Sequence, residues 1–291
     1  MSTTLKEIKN RIKAATNIRQ ITKAMKLISS IKLKKIQKAF LPFKNYQKSI
    51  EELISVLVKN IDFKLIVSNV EFFKVRKSNK DLVVIFSSDK GLCGAFNTNL
   101  FMFFEKSFKR DNVKLITVGK KAILYFSRRN YEIVDHFEKI PDIPSFEFSR
   151  KLNELVKKIY ISDSNISSVK LVYNSFISSI KYEPRIETLL PISEQNFKAT
   201  NYNVNHFIFE PSLEKIASYL FELYIDSLIY KVLMDSKLSE FSARFTAMNT
   251  ATENAENLIK ELKLLFFKRR QESITKELLE ISAGVEALKQ I

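Results

Sequence analysis

The spacing of apolar residues predicts a long helix at the start of the chain. Apolar side chains recur every three or four positions, and neither Gly nor Pro intervenes before Pro42, which is typical of an amphipathic helix with one apolar stripe. Pro42 lacks an amide donor and clashes with the preceding turn, so it should kink or end the helix. Because the pattern resumes afterwards, we predict one kinked helix that reaches about residue 58. The stripe consists of Leu5, Ile8, Ile12, Ala15, Ile18, Ile21, Met25 and Ile28.

A second long helix is predicted from residue 211 to residue 291. Pro211 and Ser212 are typical start signals, and no later proline interrupts the pattern. Apolar positions follow one another at an average of about 3.4 residues, which indicates a coiled-coil seam. A helix this long needs a partner, and the N-terminal helix is the available one, so we expect an antiparallel pair. The predicted seam is Phe241, Phe245, Met248, Ala251, Ala255, Leu258, Leu262 and Leu265, and it restarts as Ile274, Leu278, Ile281, Val285 and Leu288.

Between the two helices, short β-branched apolar runs alternate with helical patterns. This alternation predicts an α/β domain with a mainly parallel sheet. The predicted fold is therefore α/β, a long antiparallel coiled coil of N- and C-terminal helices with an inserted Rossmann-like α/β domain. The predicted domains are 1–58, 75–208 and 211–291. The predicted strands are 82–86, 113–118, 131–137, 169–177 and 186–192, and the predicted helices between them are 97–109, 119–129 and 145–161.

Composition agrees with long helices and excludes several classes of protein. Only 4 of the 291 residues are Gly, so tight turns are few. Cys93 is the only cysteine, which excludes an internal disulfide framework and cysteine-based metal sites, and two histidines argue against a His-rich site. No apolar run approaches the ~18 residues of a membrane span, and the N-terminus has no signal-peptide pattern, so we expect a cytoplasmic protein.

The net charge of +16 is concentrated at the N-terminus, where the first forty residues contain eleven basic side chains and one acid. Such a basic segment permits nucleic acid, an anionic membrane or an acidic protein as a partner. The first 39 positions contain no aromatic residue, which argues against a platform for single-stranded nucleic acid.

Candidate chemistry is sparse. The loop from Asp89 to Asn97 follows a predicted strand and precedes a helix, where phosphate loops occur, but it matches neither common phosphate-binding pattern. A structural turn is the favoured interpretation, with Cys93 as a small buried side chain. His136 and His206 lie in different parts of the chain, so no Ser, His and acid constellation is assembled. We therefore predict no catalytic, cofactor-binding or metal-binding residues and a mechanical or scaffolding role.

Several strings, in the same order along the chain, resemble the gamma subunit of F-type ATP synthases. The resemblance runs from about residue 5 to residue 288. Departures such as Ala95, Phe245 and Val285 remove no charged or polar group that the resemblance assigns a role. The matching strings are EIKNRI at 7–12, ITKAMK at 21–26, GLCG at 91–94 with Asn97, Ala243, Arg244, Ala247 and Met248, Ala251 and Thr252, Asn254 and Ala255, Arg270 and Gln271, ITKEL at 274–278, and Gly284.

The resemblance implies a central-stalk rotor subunit that carries torque from the membrane c-ring to the catalytic alpha/beta hexamer of a proton-translocating ATP synthase. It implies no activity of the isolated chain and no cofactor. The implied partners are the alpha and beta subunits, the epsilon subunit and the c-ring, without nucleic acid, at the cytoplasmic face of a bacterial inner membrane. The residues implied to contact beta subunits are Met25, Arg244, Gln271, Thr275 and Glu277. A basic coiled-coil nucleic-acid-binding protein is the alternative.

Overall fold

The computed structural model describes residues 4–60, 76–192, 197, 210 and 213–289. Two helices are much longer than the others: α1 has 56 residues and α5 has 77. A short 3-10 helix, Arg110–Asn112, precedes the second strand. In chain order the elements are α1 (Leu5–Asn60), β1 (Lys80–Phe86), α2 (Phe96–Ser107), β2 (Val113–Val118), α3 (Lys120–Ser127), β3 (Ile133–Phe137), α4 (Phe146–Ser162), β4 (Ile166–Phe176), β5 (Tyr182–Leu190) and α5 (Leu213–Lys289).

The long terminal helices agree with the sequence prediction. Pro42 lies inside α1 and does not end it, and its side chain is exposed. On the exposed side, water can hydrogen-bond the carbonyl group that a proline leaves without an amide partner. The predicted start signals Pro211 and Ser212 lie outside the described residues.

The sheet has five strands in the order β3-β2-β1-β4-β5. The first four strands are parallel and β5 is antiparallel to β4, so the predicted mainly parallel α/β fold is confirmed. At the centre, Val84 on β1 pairs with Ile116 on β2 and Leu171 on β4. β5 begins at Tyr182, earlier than predicted, because its first half is polar and carries no apolar signal.

The chain forms two compact units. The two-helix unit comprises residues 1–28 and 245–291, and the sheet unit comprises residues 29–244. Both α1 and α5 therefore contribute residues to both units. The predicted division at 1–58, 75–208 and 211–291 follows secondary structure and stays a prediction.

In the sheet unit, helices cover both faces of the sheet. Alternate residues of β1 point to opposite faces, as a strand requires. Leu82, Val84 and Phe86 pack in a cluster with α4 and with buried residues of α1 and α5. Val83 and Ile85 pack with α2 and α3 on the other face. The two long helices also pack directly on each other here, through Leu33, Ile36 and Phe40 of α1 and Met234, Leu238 and Phe241 of α5.

In the two-helix unit, buried and half-buried positions recur every seven residues on each helix. This spacing is typical of a left-handed coiled coil, and the hydroxyl groups of Thr22 and Thr252 meet across the seam at 2.9 Å. Lys26 follows Thr22 on α1, and its ammonium lies 5.9 Å from the centre of the ring of Phe245, which precedes Thr252 on α5, so the helices are antiparallel. The two series on α1 are Ile8, Ala15 and Thr22, and Leu5, Ile12, Arg19 and Lys26; those on α5 are Met248, Ala255 and Leu262, and Phe245, Thr252, Ile259 and Phe266.

The seam differs from the predicted stripes after Ala15. Ile18 and Ile21 are 54% and 60% exposed. On α5, Thr252 and Ile259 are buried, whereas Ala251 is half-buried and Leu258 is exposed. The buried positions keep the seven-residue repeat of two wound helices, and a more apolar neighbour one position away stays at the surface.

The predicted restart of the seam near the end of α5 has no partner in the described part of this chain. From the Thr22–Thr252 contact, seventeen residues toward Leu5 on α1 correspond to position 269 on α5. Beyond it, Ile274, Leu278, Ile281 and Val285 are between 45% and 64% exposed. The side chain of Leu288 lies outside the described residues. α1 begins at Leu5 and therefore does not reach this stripe.

Gly119 permits a close approach between two strand ends. Its φ is +99°, and a Cβ atom there would lie 2.4 Å from the carbonyl oxygen of Ser87. We expect Gly119→Ala to lower the free energy of unfolding by roughly 3 kcal/mol, through backbone strain and steric overlap. Thermal unfolding followed by circular dichroism measures the change. Gly91→Ala is the control, because a Cβ at Gly91 meets nothing within 4 Å; equal stability of the two variants would contradict the prediction.

Candidate functional site

The carboxyl ends of the parallel strands are tied together by Asp89. Its carboxylate accepts hydrogen bonds from the backbone amides of Lys120 (3.1 Å), Lys139 (3.2 Å) and Ile140 (2.9 Å). Ligand phosphates bind at this edge in many α/β proteins, because backbone amides point there. Here a side chain of the protein uses those donors, which supports the structural interpretation of the loop.

The rest of the loop is held by a small buried network. Asn97 accepts a hydrogen bond from the Ser88 amide (3.1 Å) and donates to the Ser88 hydroxyl (2.8 Å) and to the Cys93 sulfur (3.4 Å). The Ser88 hydroxyl in turn donates to the carbonyl oxygen of Lys90 (2.7 Å). Burial raises the pKa of the Cys93 thiol. Cys93 is therefore a packed side chain and a poor nucleophile at neutral pH.

Arg244 clamps this loop to α5. Its guanidinium donates to the carbonyl oxygens of Lys90 and Gly91 at 3.4 Å and forms an ion pair with Glu240 at 2.8 Å. Glu240 also pairs with Lys237 at 3.0 Å. Arg244 is only 5% exposed, and it shares the Glu240 carboxylate with Lys237. Removing one member of such a buried group costs more than the pair contributes, because it leaves an unpaired buried charge.

The other predicted site residues lie in the two-helix unit and do not form one site. Met25 is half-buried on α1. Gln271, Thr275 and Glu277 are exposed on α5, where Glu277 accepts a hydrogen bond from Ser273 at 3.3 Å. By the antiparallel alignment Met25 lies near position 249, so Gln271 is about 33 Å farther along the helix. Their predicted contacts with beta subunits stay predictions.

Several interacting residues were not found by sequence reasoning. Asp89 could not be recognised because its partners are 31 to 51 residues away in the sequence. Glu240 pairs with Lys237 and Arg244 on its own helix, but the sequence does not show that this group is buried. Thr22 and Thr252 were overlooked because they are polar, although a strict count of seven from Ile8 and Ala15 leads to Thr22. Within the described residues, no group of three or more potential metal ligands occurs, and no helix is long and apolar enough to cross a membrane.

Comparison with known proteins gives consistent results. A family model described as ATP synthase matches residues 4–288. An ATP synthase gamma chain from Mycoplasmopsis pulmonis is 35% identical over 280 residues, which cover 96% of this chain and 98% of the relative. One from Clostridium kluyveri is 36% identical and covers 97% of both chains.

Solved structures agree in fold. A chain of the Euglena gracilis mitochondrial ATP synthase aligns with a TM-score of 0.71 at 20% identity, covering 98% of this chain and 94% of its own length. A chain from the central stalk and c-ring of the Tetrahymena thermophila enzyme aligns with a TM-score of 0.56 at 26% identity, covering 79% of this chain and 99% of its own.

The fold and the loop after β1 define a class of protein. It consists of a two-helix coiled coil and an α/β sheet unit, and the polar side chains around its strand-end loop bond to the protein itself. Within that class, this chain belongs to the ATP synthase gamma chain family. The predicted function, the central-stalk rotor subunit of an F-type ATP synthase, is confirmed. The relatives do not support the nucleic-acid-binding alternative.

A buried acid in the sheet unit makes stability depend on pH. Asp235 is 9% exposed, and burial raises its pKa from 3.8 to about 6, although Lys231 and Lys44 oppose the shift. A raised folded-state pKa favours folding below pH 3.8 and penalises it as the pH rises through 6. We expect Asp235→Asn to raise the free energy of unfolding by about 3 kcal/mol at pH 7.5 and to have little effect at pH 4, at about 1.4 kcal/mol per pKa unit.

Urea unfolding of both forms at the two pH values measures this difference. Glu183→Gln is the control, because Glu183 is a half-buried acid on the same sheet whose pKa is lowered by its hydrogen bond to Lys181. If Asp235→Asn lowers stability at pH 7.5, attraction to the neighbouring cations outweighs burial and the prediction is wrong.

The Asp89 carboxylate already uses the backbone amides at the strand ends, so we expect that the isolated chain does not bind ATP there. Because Asp89 already engages three amides, ATP should give no concentration-dependent rise in the melting temperature, and no hydrolysis should be detected. Differential scanning fluorimetry with and without Mg²⁺ tests this. A rise at micromolar ATP that Asp89→Asn alters would make the loop a binding site after all.

Proposed function

We propose that this rotor subunit couples proton flow through a membrane c-ring to the opening and closing of catalytic sites in a hexamer of alpha and beta subunits. The observation that carries the proposal is the end of α5, which continues about twenty residues past the reach of α1 with exposed apolar side chains. Such a surface is uncommon on a free protein and fits a helix surrounded by other chains.

The energetics require a subunit of this kind. At ~200 mV one proton supplies roughly 4.6 kcal/mol, so several protons must act together for each ATP. The energy then has to pass mechanically from the membrane to the catalytic sites. Two helices packed through a seven-residue repeat resist twisting better than one, because every turn of each helix is held by the other.

The chain itself contributes no reacting group in this proposal. Asp89, Arg244 and Cys93, the residues around the loop that first suggested chemistry, are engaged in hydrogen bonds or ion pairs within the chain. Catalysis belongs to the alpha/beta hexamer, and the proposed partners are alpha, beta, epsilon and the c-ring. The proposed location is the cytoplasmic face of a bacterial inner membrane, with the chain as a peripheral subunit.

Contacts with beta subunits are proposed for the exposed polar residues Gln271, Thr275 and Glu277. Exposed polar contacts contribute little net energy, so they can break and re-form at every step. Arg244 acts differently in this proposal. Because it is buried against Lys90 and Gly91, it would influence a beta subunit by fixing the loop that faces outward.

Met25→Lys tests the coupling role. Met25 is half-buried, so a lysine there can keep part of its stem packed while its charge reaches the surface and attracts a beta carboxylate. We expect assembly and ATP hydrolysis to stay close to wild type, and proton-driven ATP synthesis to fall several-fold. All three are measured on the same membranes.

The control is Met25→Leu, which conserves volume without adding charge and should retain synthesis. A parallel loss of assembly, hydrolysis and synthesis in Met25→Lys would contradict the coupling role and leave packing as the only function of Met25. Retention of all three activities would contradict it as well, because an added charge at a coupling contact must affect synthesis.

A further inference from the structure

The apolar pattern and the buried seam of α1 separate after Ala15. The apolar stripe continues to Ile18 and Ile21, three residues at a time, and then to Met25 and Ile28. The buried seam instead continues through Arg19, Thr22 and Lys26, which keep the seven-residue repeat. Following the apolar stripe would require local overwinding of the coiled coil, because two successive steps of three residues leave the stripe one residue short of a full heptad.

Hydrophobicity therefore favours a different rotation of α1 from the one observed. Ile18, Ile21 and Ile28 all remain more than half exposed. The seam positions that replace them are Arg19, Thr22 and Ser29. Moving the seam back by one residue corresponds to a rotation of α1 by about 100°. The observed arrangement thus needs an interaction that the apolar alternative lacks.

The Thr22–Thr252 pair supplies such an interaction. Both side chains are buried. The Thr252 hydroxyl donates to the Thr22 hydroxyl at 2.9 Å, and the Thr22 hydroxyl donates to the carbonyl oxygen of Arg19 at 3.1 Å. The hydroxyl oxygen of Thr252 also lies 2.7 Å from the carbonyl oxygen of Met248. If α1 rotated, Thr252 would lose the hydroxyl group opposite it in the seam. Single polar residues are known to fix alignment in coiled coils at some cost in stability.

Neighbouring residues support the same rotation. The Lys26 ammonium lies 5.9 Å from the centre of the Phe245 ring, within the range of a cation–π interaction. Ala15 and Ala255 are buried close to the pair, and their small side chains let the two helices approach.

We propose that the Thr22–Thr252 hydrogen bond fixes the rotational phase of α1 on α5 and prevents the two-helix unit from overwinding into the state that buries Ile18 and Ile21. Thr22 and Thr252 are then positioning residues, which keep the isoleucine face of α1 turned outward. This inference goes beyond the proposed function and depends only on the fold.

Disulfide trapping in the full chain tests the phase, in a Cys93→Ala background. The pair Lys26→Cys with Met248→Cys should crosslink in the observed phase, and Ile21→Cys with Ala255→Cys in the rotated one. With both threonines present, the first pair should form faster. In Thr22→Val/Thr252→Val the ratio of the two rates should fall about ten-fold, which corresponds to the net value of about one hydrogen bond.

Two matched variants complete the test. Thr22→Ser/Thr252→Ser keeps both hydroxyls and should keep the wild-type ratio. Thr16→Val removes a half-buried hydroxyl that bonds only within α1, to the carbonyl oxygen of Ile12, and should not change the ratio. An unchanged ratio in the valine pair would overturn the proposal. Loss of helical circular dichroism in the valine pair would overturn it too, because valine at these positions should leave a folded coiled coil in the rotated phase.

Discussion

Each long helix of this protein can bury its seam only against the other. Isolated helices gain little stability from propensity alone, and helices of 56 and 77 residues depend on tertiary packing along their length. In the sheet unit the packing is shared with the sheet, and the clusters around Leu33 and Phe40 are continuous with aromatic residues of α5. In the two-helix unit, each helix has one neighbour within the described part of the chain. A single seam covers only part of a helix surface, so the unit keeps a large exposed apolar area even though its fold is complete.

The polar side chains around the loop after β1 likewise bond to groups of the same chain. The loop after β1 lies next to α5, where Cys93 and Phe96 pack with Ala243 and Tyr182. Asp89 fastens the loop to the sheet edge, and Arg244 fastens it to the helix. Both residues have the chemical character of ligand-binding groups, yet Asp89 accepts from three backbone amides, and Arg244 donates to two backbone carbonyls and pairs with Glu240. A charged residue beside a glycine loop is therefore weak evidence for a binding site unless some of its hydrogen-bonding capacity remains unused.

Sequence patterns were sufficient for the element order, the parallel sheet and the antiparallel helices, because these depend on periodicity over many residues. They were insufficient where a single position decides which side chain is buried or which group it contacts. Ile18 and Ile21 are more apolar than Arg19 and Thr22, but winding two helices together fixes a repeat of seven and overrides local hydrophobicity. Likewise, the role of Arg244 depends on carbonyl groups 153 and 154 residues away in the chain, and no spacing rule could indicate them.

Charge is distributed unequally between the two helices of the two-helix unit. Residues 5–28 of α1 carry seven basic side chains and one acidic one, whereas residues 245–289 of α5 carry seven of each. One helix is therefore strongly basic and its partner is neutral. The electrostatic field at a neighbouring surface depends on which helix faces that surface, and it extends over a Debye length of about 8 Å. A symmetric rod would act equally on every neighbour in any orientation and could not place identical subunits in different states. The unequal charge and the outward isoleucine face of α1 give the unit distinct sides, which a rotor needs if its orientation is to determine the state of each neighbouring subunit.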